Sequence, residues 1–271
     1  MSELSEAPDQ ALLSLDTSIP HSARVWNYWL GGKDNFAADR EMAEHILTVM
    51  PSLVMSARAD RAFLGRVVRY LVAEAGIRQF LDVGTGLPTA DNTHEVAQAL
   101  APECRIVYVD NDPIVLVHAR ALLTSSPSGT TEYVDADLRD PEKILLAAQA
   151  TLDFTRPVAL MLLGSLNFVV DTAQARASVA TFLAALPAGS YLVVAHPSAE
   201  VHGEAMEEAV RLWNDAGSSQ MTLRNREEIA AFFDGLELLE PGVVSCSRWR
   251  PDSAEAGAAE VSQFCAVGRK P

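Results

Sequence analysis

Between residues 79 and 197, short apolar runs alternate with segments of helical periodicity, and that alternation leaves few folds open. The runs are QFLDVG from Gln79, RIVYVD from Arg105, TTEYVDADL from Thr130, VALMLL from Val158 and YLVVA from Tyr191. Runs such as VALMLL and YLVVA lack the apolar/polar alternation of a half-exposed strand, so they read as strands buried on both faces. Helical segments separate them: THEVAQALA, PIVLVHARALL, PEKILLAAQATL and TAQARASVATFLAAL, two of which open on a proline suited to a first helical turn. Strict strand–helix alternation predicts a parallel sheet with helices on both sides. Two further helices, EAMEEAVRLWNDAG and REEIAAFFDG, and two strands, LELLEPGVV and SQFCAVGRK, close the chain.

Ahead of the first strand, residues 1–16 are polar and aperiodic and read as a mobile tail. Apolar spacing predicts one helix from Asp39 to Met50, a break at Pro51, and a second helix over about 57–75 with Phe63, Leu64, Val67, Val68 and Leu71 on one face. Neither an internal repeat nor an inter-domain linker is visible. The chain therefore reads as one domain, 17–271, made of a helical cap (17–60) and an α/β core (61–271).

Composition narrows the partners. Thirty-six acidic against 21 basic residues give a formal charge of −15, a field that repels nucleic-acid phosphates. No apolar run approaches the roughly 18–20 residues of a membrane span, and the N-terminus, MSELSEAPDQ, lacks the basic and apolar regions of a secretory signal. Cys104, Cys246 and Cys265 form no CxxC pair, and the histidines form no HExxH-like spacing, so no metal is expected. The reading is a cytoplasmic protein without nucleic-acid or membrane partners; a homodimer is left open.

The first core strand runs into Asp82-Val83-Gly84-Thr85-Gly86. Glycines there let the backbone turn sharply and approach a ligand, which in an open α/β sheet lies beyond the carboxyl ends of the strands. A dinucleotide fingerprint needs a third glycine where this chain has Thr89, which argues against a nucleotide-dependent oxidoreductase. Asp82 would repel a pyrophosphate but attract a cationic amino acid. Asp110, followed by Asn111, ends the second strand, where a carboxylate can accept from both ribose hydroxyls. Asp137-Leu138 ends the third, where an acceptor can meet an adenine amino group. Three acids at three strand ends around a glycine loop point to S-adenosylmethionine.

At these residues the chain resembles class I S-adenosylmethionine-dependent methyltransferases: Asp82, Gly84 and Gly86 match the first motif, Asp110 the second strand end and Asp137-Leu138 the third. The blocks IPHSARVWNYWLGGKDNF, FLDVGTGLPTADNTHEVAQ, RIVYVDNDPIVLVHARALL and ADLRDPEKIL are similar to an actinobacterial S-adenosyl methyltransferase family formerly catalogued as a domain of unknown function. The resemblance implies a Rossmann-like fold with a seven-stranded, mostly parallel sheet, helices on both faces, an antiparallel last strand and an N-terminal helical cap. It also implies S-adenosyl-L-methionine as cofactor, with Asp82, Gly84, Thr85, Gly86, Asp110, Asn111, Asp137, Leu138 and Ser165 about it. It names no acceptor.

The acceptor side is less sharply written. Ser22 to Phe36 holds two tryptophans, a tyrosine, two cations and Gly31-Gly32, which ends a helix. Val25, Trp29 and Trp26 read as its core face. Arg24 and Tyr28, four apart, share another face and are expected over the cofactor, Tyr28 packing on or hydrogen-bonding the cofactor or acceptor and Arg24 or Lys33 meeting a carboxylate of either; the alternative is a helix docked by its aromatics, with Arg24 paired to a surface acid. Asn167, after the fourth strand, and His196, after the fifth, join Tyr28 as catalytic candidates; each also has a purely structural reading. An amide is no base, so Asn167 could only orient an acceptor. Methyl transfer from a sulfonium needs alignment and exclusion of water more than acid catalysis, so an enzyme acting on a small or cationic acceptor fits. A non-catalytic sensor or partner subunit that binds the cofactor or its demethylated product is the alternative.

Overall fold

The computed structural model describes residues 16–89, 91–115, 117, 125–216, 219–253 and 259–271. The expected tail up to residue 15 and most of the PIVLVHARALL helix lie outside the described residues.

The apolar runs become β1 (Gln79–Val83), β2 (Arg105–Asp110), β3 (Thr130–Asp135), β4 (Ala159–Leu163) and β5 (Tyr191–Pro197), all parallel in the order β3-β2-β1-β4-β5. The last strand, β8 (Gln263–Arg269), runs antiparallel beside β5. LELLEPGVV is not one strand. It is split into β6 (Glu237–Leu238) and β7 (Val244–Ser245), which pair with two stretches of β8. Between them Leu239 accepts from Gly242 N in a turn; Pro241, with no N–H, could not have extended the ladder. Among the described residues the sheet thus has seven positions and eight strands.

Pleating sorts the strand residues onto two cores. Leu81, Val83, Val107, Val109, Leu160, Leu162, Leu192 and Val194 face α5 (Pro141–Ala148) and α6 (Thr172–Ala185). Phe80, Ile106, Tyr108, Met161, Val193 and Cys265 face α3 (Leu53–Ala73) and α4 (Thr93–Leu100). Burial on both faces is why the strand runs lack alternation.

A third cluster forms the cap. α1 (Ser22–Trp29), α2 (Ala37–Val49) and the first turns of α3 pack Val25, Trp29, Met42, Ile46 and Leu53 against Met206, Ala209 and Trp213 of α7 (Gly203–Ala216). α3 starts four residues earlier than the expected 57 and runs unbroken through residues 60 and 61. Its start belongs to the cap cluster and its remainder to the core, so cap and core share one helix. α8 (Arg226–Ala230) completes the helices used below. Among the described residues no helix is long and apolar enough to cross a membrane.

Candidate active site

A cavity of about 820 Å³ opens between the cap and the carboxyl ends of β1, β2, β3 and β4. The glycine loop forms its floor. Gly84 has φ +80° and Gly86 φ +66°, the left-handed region that favours glycine. A Cβ on Gly84 would also stand 2.4 Å from the Cβ of Ser165, so the loops after β1 and β4 touch through the missing side chain. Gly84→Ala is therefore expected to cost about 2–4 kcal/mol, overpacking and backbone strain together. Denaturant unfolding checks it; an unchanged midpoint would contradict the contact.

Asp110 is held by three backbone donors: Gly86 N at 2.8 Å on Oδ2, and Asn111 N and Asp112 N at 2.9 and 3.0 Å on Oδ1. With roughly four acceptor positions on a carboxylate, Oδ2 keeps capacity toward the cavity that it lines. Asp137 also lines the cavity, two residues beyond the end of β3. Its oxygens accept from the Arg139 amide and guanidinium at 2.6–2.8 Å and from Asn111 Nδ2 at 3.2 Å. Those bonds organise the rim. Thr85, Asn111, Leu138 and Ser165 line the same cavity.

Asp82 lies under the loop, 5% exposed, accepting from Thr93 Oγ1 at 2.7 Å. Burial pushes its pKa up to about 6. Beside it stand two residues that the sequence reading passed over. Asp60, buried and likewise pushed up to about 6 by burial, accepts from Gln263 Nε2 at 3.3 Å. Arg61, which donates to Asn92 Oδ1 at 3.0 Å, interacts electrostatically with both Asp60 and Asp82. All three line the cavity. A signal did exist: Asp60 falls four residues before Leu64 on the apolar stripe of α3, where spacing asks for a hydrophobe.

The cap contributes, but by the opposite face of α1 from the one expected. Ser22, Ala23, Trp26, Trp29 and Leu30 line the cavity; Arg24 and Tyr28 do not. Arg24 turns toward α2, 2% exposed, and makes a buried ion pair with Asp39 at 2.9 Å while donating to Ile19 O. Asp39 also accepts from the amides of His21 and Phe36, so this knot fixes the corner between α1 and α2. Tyr28 donates to Glu44 of α2. Lys33 is exposed and away from the cavity. The expected cofactor contacts of Arg24 and Tyr28 are therefore corrected. Both faces of α1 carry aromatic residues, so periodicity alone does not say which turns inward.

His196 is corrected as well. Its ring is fully buried outside the cavity, with Nδ1 2.8 Å from Pro197 O and Nε2 accepting from Arg224 at 2.9 Å. Burial depresses its pKa to about 3, so the ring is neutral and its free lone pair is already engaged. It is a structural ring, not a base at the acceptor. Asn167 does line the cavity, and its Oδ1 is buried without a partner.

The residues fit the cofactor. A loop that excludes a Cβ, a carboxylate with open capacity at the second strand end and a buried Asp–Arg–Asp group match an adenosyl amino acid better than a dinucleotide. Sheet order, antiparallel last strand and ligand cavity define a class I Rossmann-like methyltransferase fold. The same fold is seen in a S-adenosylmethionine-dependent methyltransferase from Anabaena variabilis, which is 13% identical, with a TM-score of 0.55 over 95% of this chain and 99% of that one.

The family model for S-adenosyl methyltransferases matches residues 8–271, and the chain belongs to that family. It is similar to a DUF574 family protein from Streptomyces avermitilis, at 45% identity with a TM-score of 0.91 over 94% of this chain and 99% of that one. A Thermobifida fusca protein with a provisional methyltransferase assignment is 40% identical, with a TM-score of 0.87 over 98% and 99% of the two chains. No curated protein matches significantly. The family match over nearly the whole chain and the likeness to these two proteins make it a S-adenosylmethionine-dependent methyltransferase.

Proposed function

We propose that the protein transfers the methyl group of S-adenosylmethionine to a small molecule taken into the same cavity. The observation that carries this is the continuity of the cavity from the glycine loop to the cap. Its volume, about 820 Å³, stands toward the upper end of the range of about 300–1,000 Å³ that single-ligand sites span, which leaves room for a second molecule beside the cofactor. When bound, the cofactor supplies an electrophilic methyl on a sulfonium whose leaving group is a neutral thioether.

In this reading the chain's residues hold, orient and exclude water. Asp110 meets the ribose, Arg61 the amino-acid carboxylate, and Asp82 with Asp60 the ammonium. Two carboxylates and one guanidinium carry a net charge of −1, which balances the +1 of a sulfonium-bearing zwitterion. The cap closes the cavity from above through Ala23, 4.0 Å from where a Cβ of Gly86 would lie. Incubation with methyl-labelled cofactor and a small-molecule extract tests the reading: label in a low-molecular-mass product supports it, and cofactor binding without any transfer would indicate a sensor instead.

A pH dependence follows from Asp82. Its raised pKa of about 6 means that the ionised form, which attracts the ammonium, is present above about pH 6 and protonated below it. Affinity for S-adenosylmethionine is expected to fall by up to about tenfold per pH unit as pH drops through 6. Calorimetric titration between pH 5 and 8 checks this; Asp82→Asn should make the profile shallower, and the remaining slope belongs to Asp60, which burial also raises to about 6. Affinity that rises toward acid would contradict the assignment.

A further inference from the structure

Beyond the glycine loop the cavity changes character. Its far half is walled by Trp26 and Trp29 of α1, Phe168 after β4, and Met206, Val210 and Trp213 of α7. The rings pack edge to face, Trp26 with Trp29 at 5.9 Å and Phe168 with Trp213 at 6.4 Å between centroids. Two indole N–H groups are already spent on the protein, Trp213 on Ser219 O at 2.7 Å and Trp29 on Ala43 O at 3.5 Å. Apart from the Trp26 indole N–H, what these walls offer a ligand is carbon and sulfur surface.

Polar groups interrupt that surface, Asn27, Ser219 and Gln220 among them, and one of them buries an unpaired acceptor. Asn167 is 3% exposed and lines the cavity, and its Oδ1 has no partner. The segment carrying it is rigidly held. The Asn167 carbonyl accepts from Thr222 N at 2.9 Å, and the neighbouring Leu166 and Val169 carbonyls accept from the Arg224 guanidinium at 3.0 and 2.7 Å. The backbone that carries the Asn167 amide is thus anchored against the cavity wall. Leaving a buried acceptor unpaired is costly, and a donor on a ligand recovers that cost.

Charge completes the description. The charged side chains lining the cavity belong to the start of α3 and the ends of β1, β2 and β3, apart from Asp171, which is exposed and caps α6 by accepting from Gln174 N at 2.9 Å. His21 lies at the foot of α1, paired with Asp112 at 2.8 Å. Among the described residues the aromatic half therefore has no buried counter-charge for an ammonium or a carboxylate, and an unpaired buried charge is strongly disfavoured.

We propose that this half of the cavity binds the methyl acceptor, and that the acceptor is an uncharged, flat, largely apolar molecule whose hydroxyl is donated to Asn167 Oδ1. The inference rests on the methyltransferase reading and adds the chemical class of the acceptor. Asn167 is an orienting group: it points a lone pair of the acceptor's oxygen toward the cofactor half, and as the O–CH3 bond forms and the S–CH3 bond breaks to leave a neutral thioether, the hydroxyl proton passes to solvent water rather than to the amide. A hydroxyl-bearing aromatic is the simplest member of this class.

A series built on one ring system tests it. 2-Naphthol, 2-methoxynaphthalene, 2-naphthoate and 2-naphthylmethylamine are titrated calorimetrically into the protein saturated with S-adenosylhomocysteine. 2-Naphthol is expected to bind about tenfold or more tighter than each of the others, because it alone is neutral and carries the donor. In Asn167→Leu the preference for 2-naphthol over its methyl ether falls to within about threefold, while affinity for S-adenosylhomocysteine is retained. In Asn167→Asp the preference moves to 2-naphthylmethylamine, a shift that a merely structural asparagine would not produce. Tightest binding of a charged member to the unaltered protein, a preference that survives Asn167→Leu, or no binding of 2-naphthol to protein that holds S-adenosylhomocysteine would overturn the inference. Failure to bind S-adenosylhomocysteine at all would instead overturn the functional reading beneath it.

Discussion

Arg61→Ala is expected to weaken S-adenosylmethionine binding on the order of 10- to 100-fold and to change binding of 5′-methylthioadenosine by less than about threefold. The first figure corresponds to a charge-assisted hydrogen bond in a buried site, about 1.5–3 kcal/mol. The contrast arises because 5′-methylthioadenosine keeps the adenosine and the sulfur but lacks the amino acid that Arg61 is proposed to hold. Arg61 also lies against Asp60 and Asp82, so its removal leaves two buried carboxylates without their counter-charge. Both would be driven further toward the protonated form, and the ammonium of the ligand would lose its partners as well. Parallel calorimetric titrations check this. Equal losses for the two ligands would assign Arg61 to the architecture of the loop, and no loss for either would remove it from the site.

Arg224→Met is expected to destabilise the protein by roughly 3–5 kcal/mol, a drop in melting temperature of about 10 °C for a domain of this size. Arg224 is 2% exposed, and its guanidinium donates to Leu166 O, Val169 O and His196 Nε2, with its Cζ 5.5 Å from the Phe232 ring centroid. Methionine preserves the stem but leaves those acceptors unpaired in the interior, each a cost of about 1–3 kcal/mol, partly offset because the charge itself no longer has to be buried. The same change frees the segment that carries Asn167, so acceptor binding should weaken beyond what stability explains. Arg211 is the contrasting position. It is 57% exposed on α7 and paired with Glu208 and Asp215, and Arg211→Ala should stay within about 0.5 kcal/mol. Equal effects at the two positions would contradict the account of Arg224.

The fold was largely legible because its strands are buried on both faces and so stand out as unbroken apolar runs between helices. The glycine turn after β1 was legible for a related reason: Gly84 and Gly86 occupy backbone conformations that favour glycine, and Asp110 closes a strand. What escaped was whatever depends on how separate elements meet. Asp60 and Arg61 face the cavity only because α3 packs across β4 and β8, a tertiary fact with one local trace, a carboxylate on an apolar stripe. Arg24 offered an attractive cation to the cofactor, yet Asp39, fifteen residues away, claims it. Tyr28 and His196 were drawn elsewhere in the same way, to Glu44 and Arg224. The break of the edge strand near Pro241 was visible as a proline in a strand-like run and could have been anticipated on that ground.

The cap shows how stability and function divide the labour. α1 presents Arg24 and Tyr28 to α2, where they anchor the helix, and Trp26 and Trp29 to the cavity, where they form its wall. One face keeps the other in place.

The central claim is that one cavity holds the adenosyl amino acid at the glycine loop with its amino-acid end at Arg61, leaving the aromatic half for the acceptor. A crystal structure of the protein with S-adenosylhomocysteine measures this most directly. The account predicts the ribose on Asp110, the homocysteine carboxylate within hydrogen-bonding distance of Arg61 and the sulfur facing the chamber lined by Trp26, Phe168 and Trp213. A homocysteine tail directed away from Arg61, or an adenosyl group lying between the tryptophans, would contradict it.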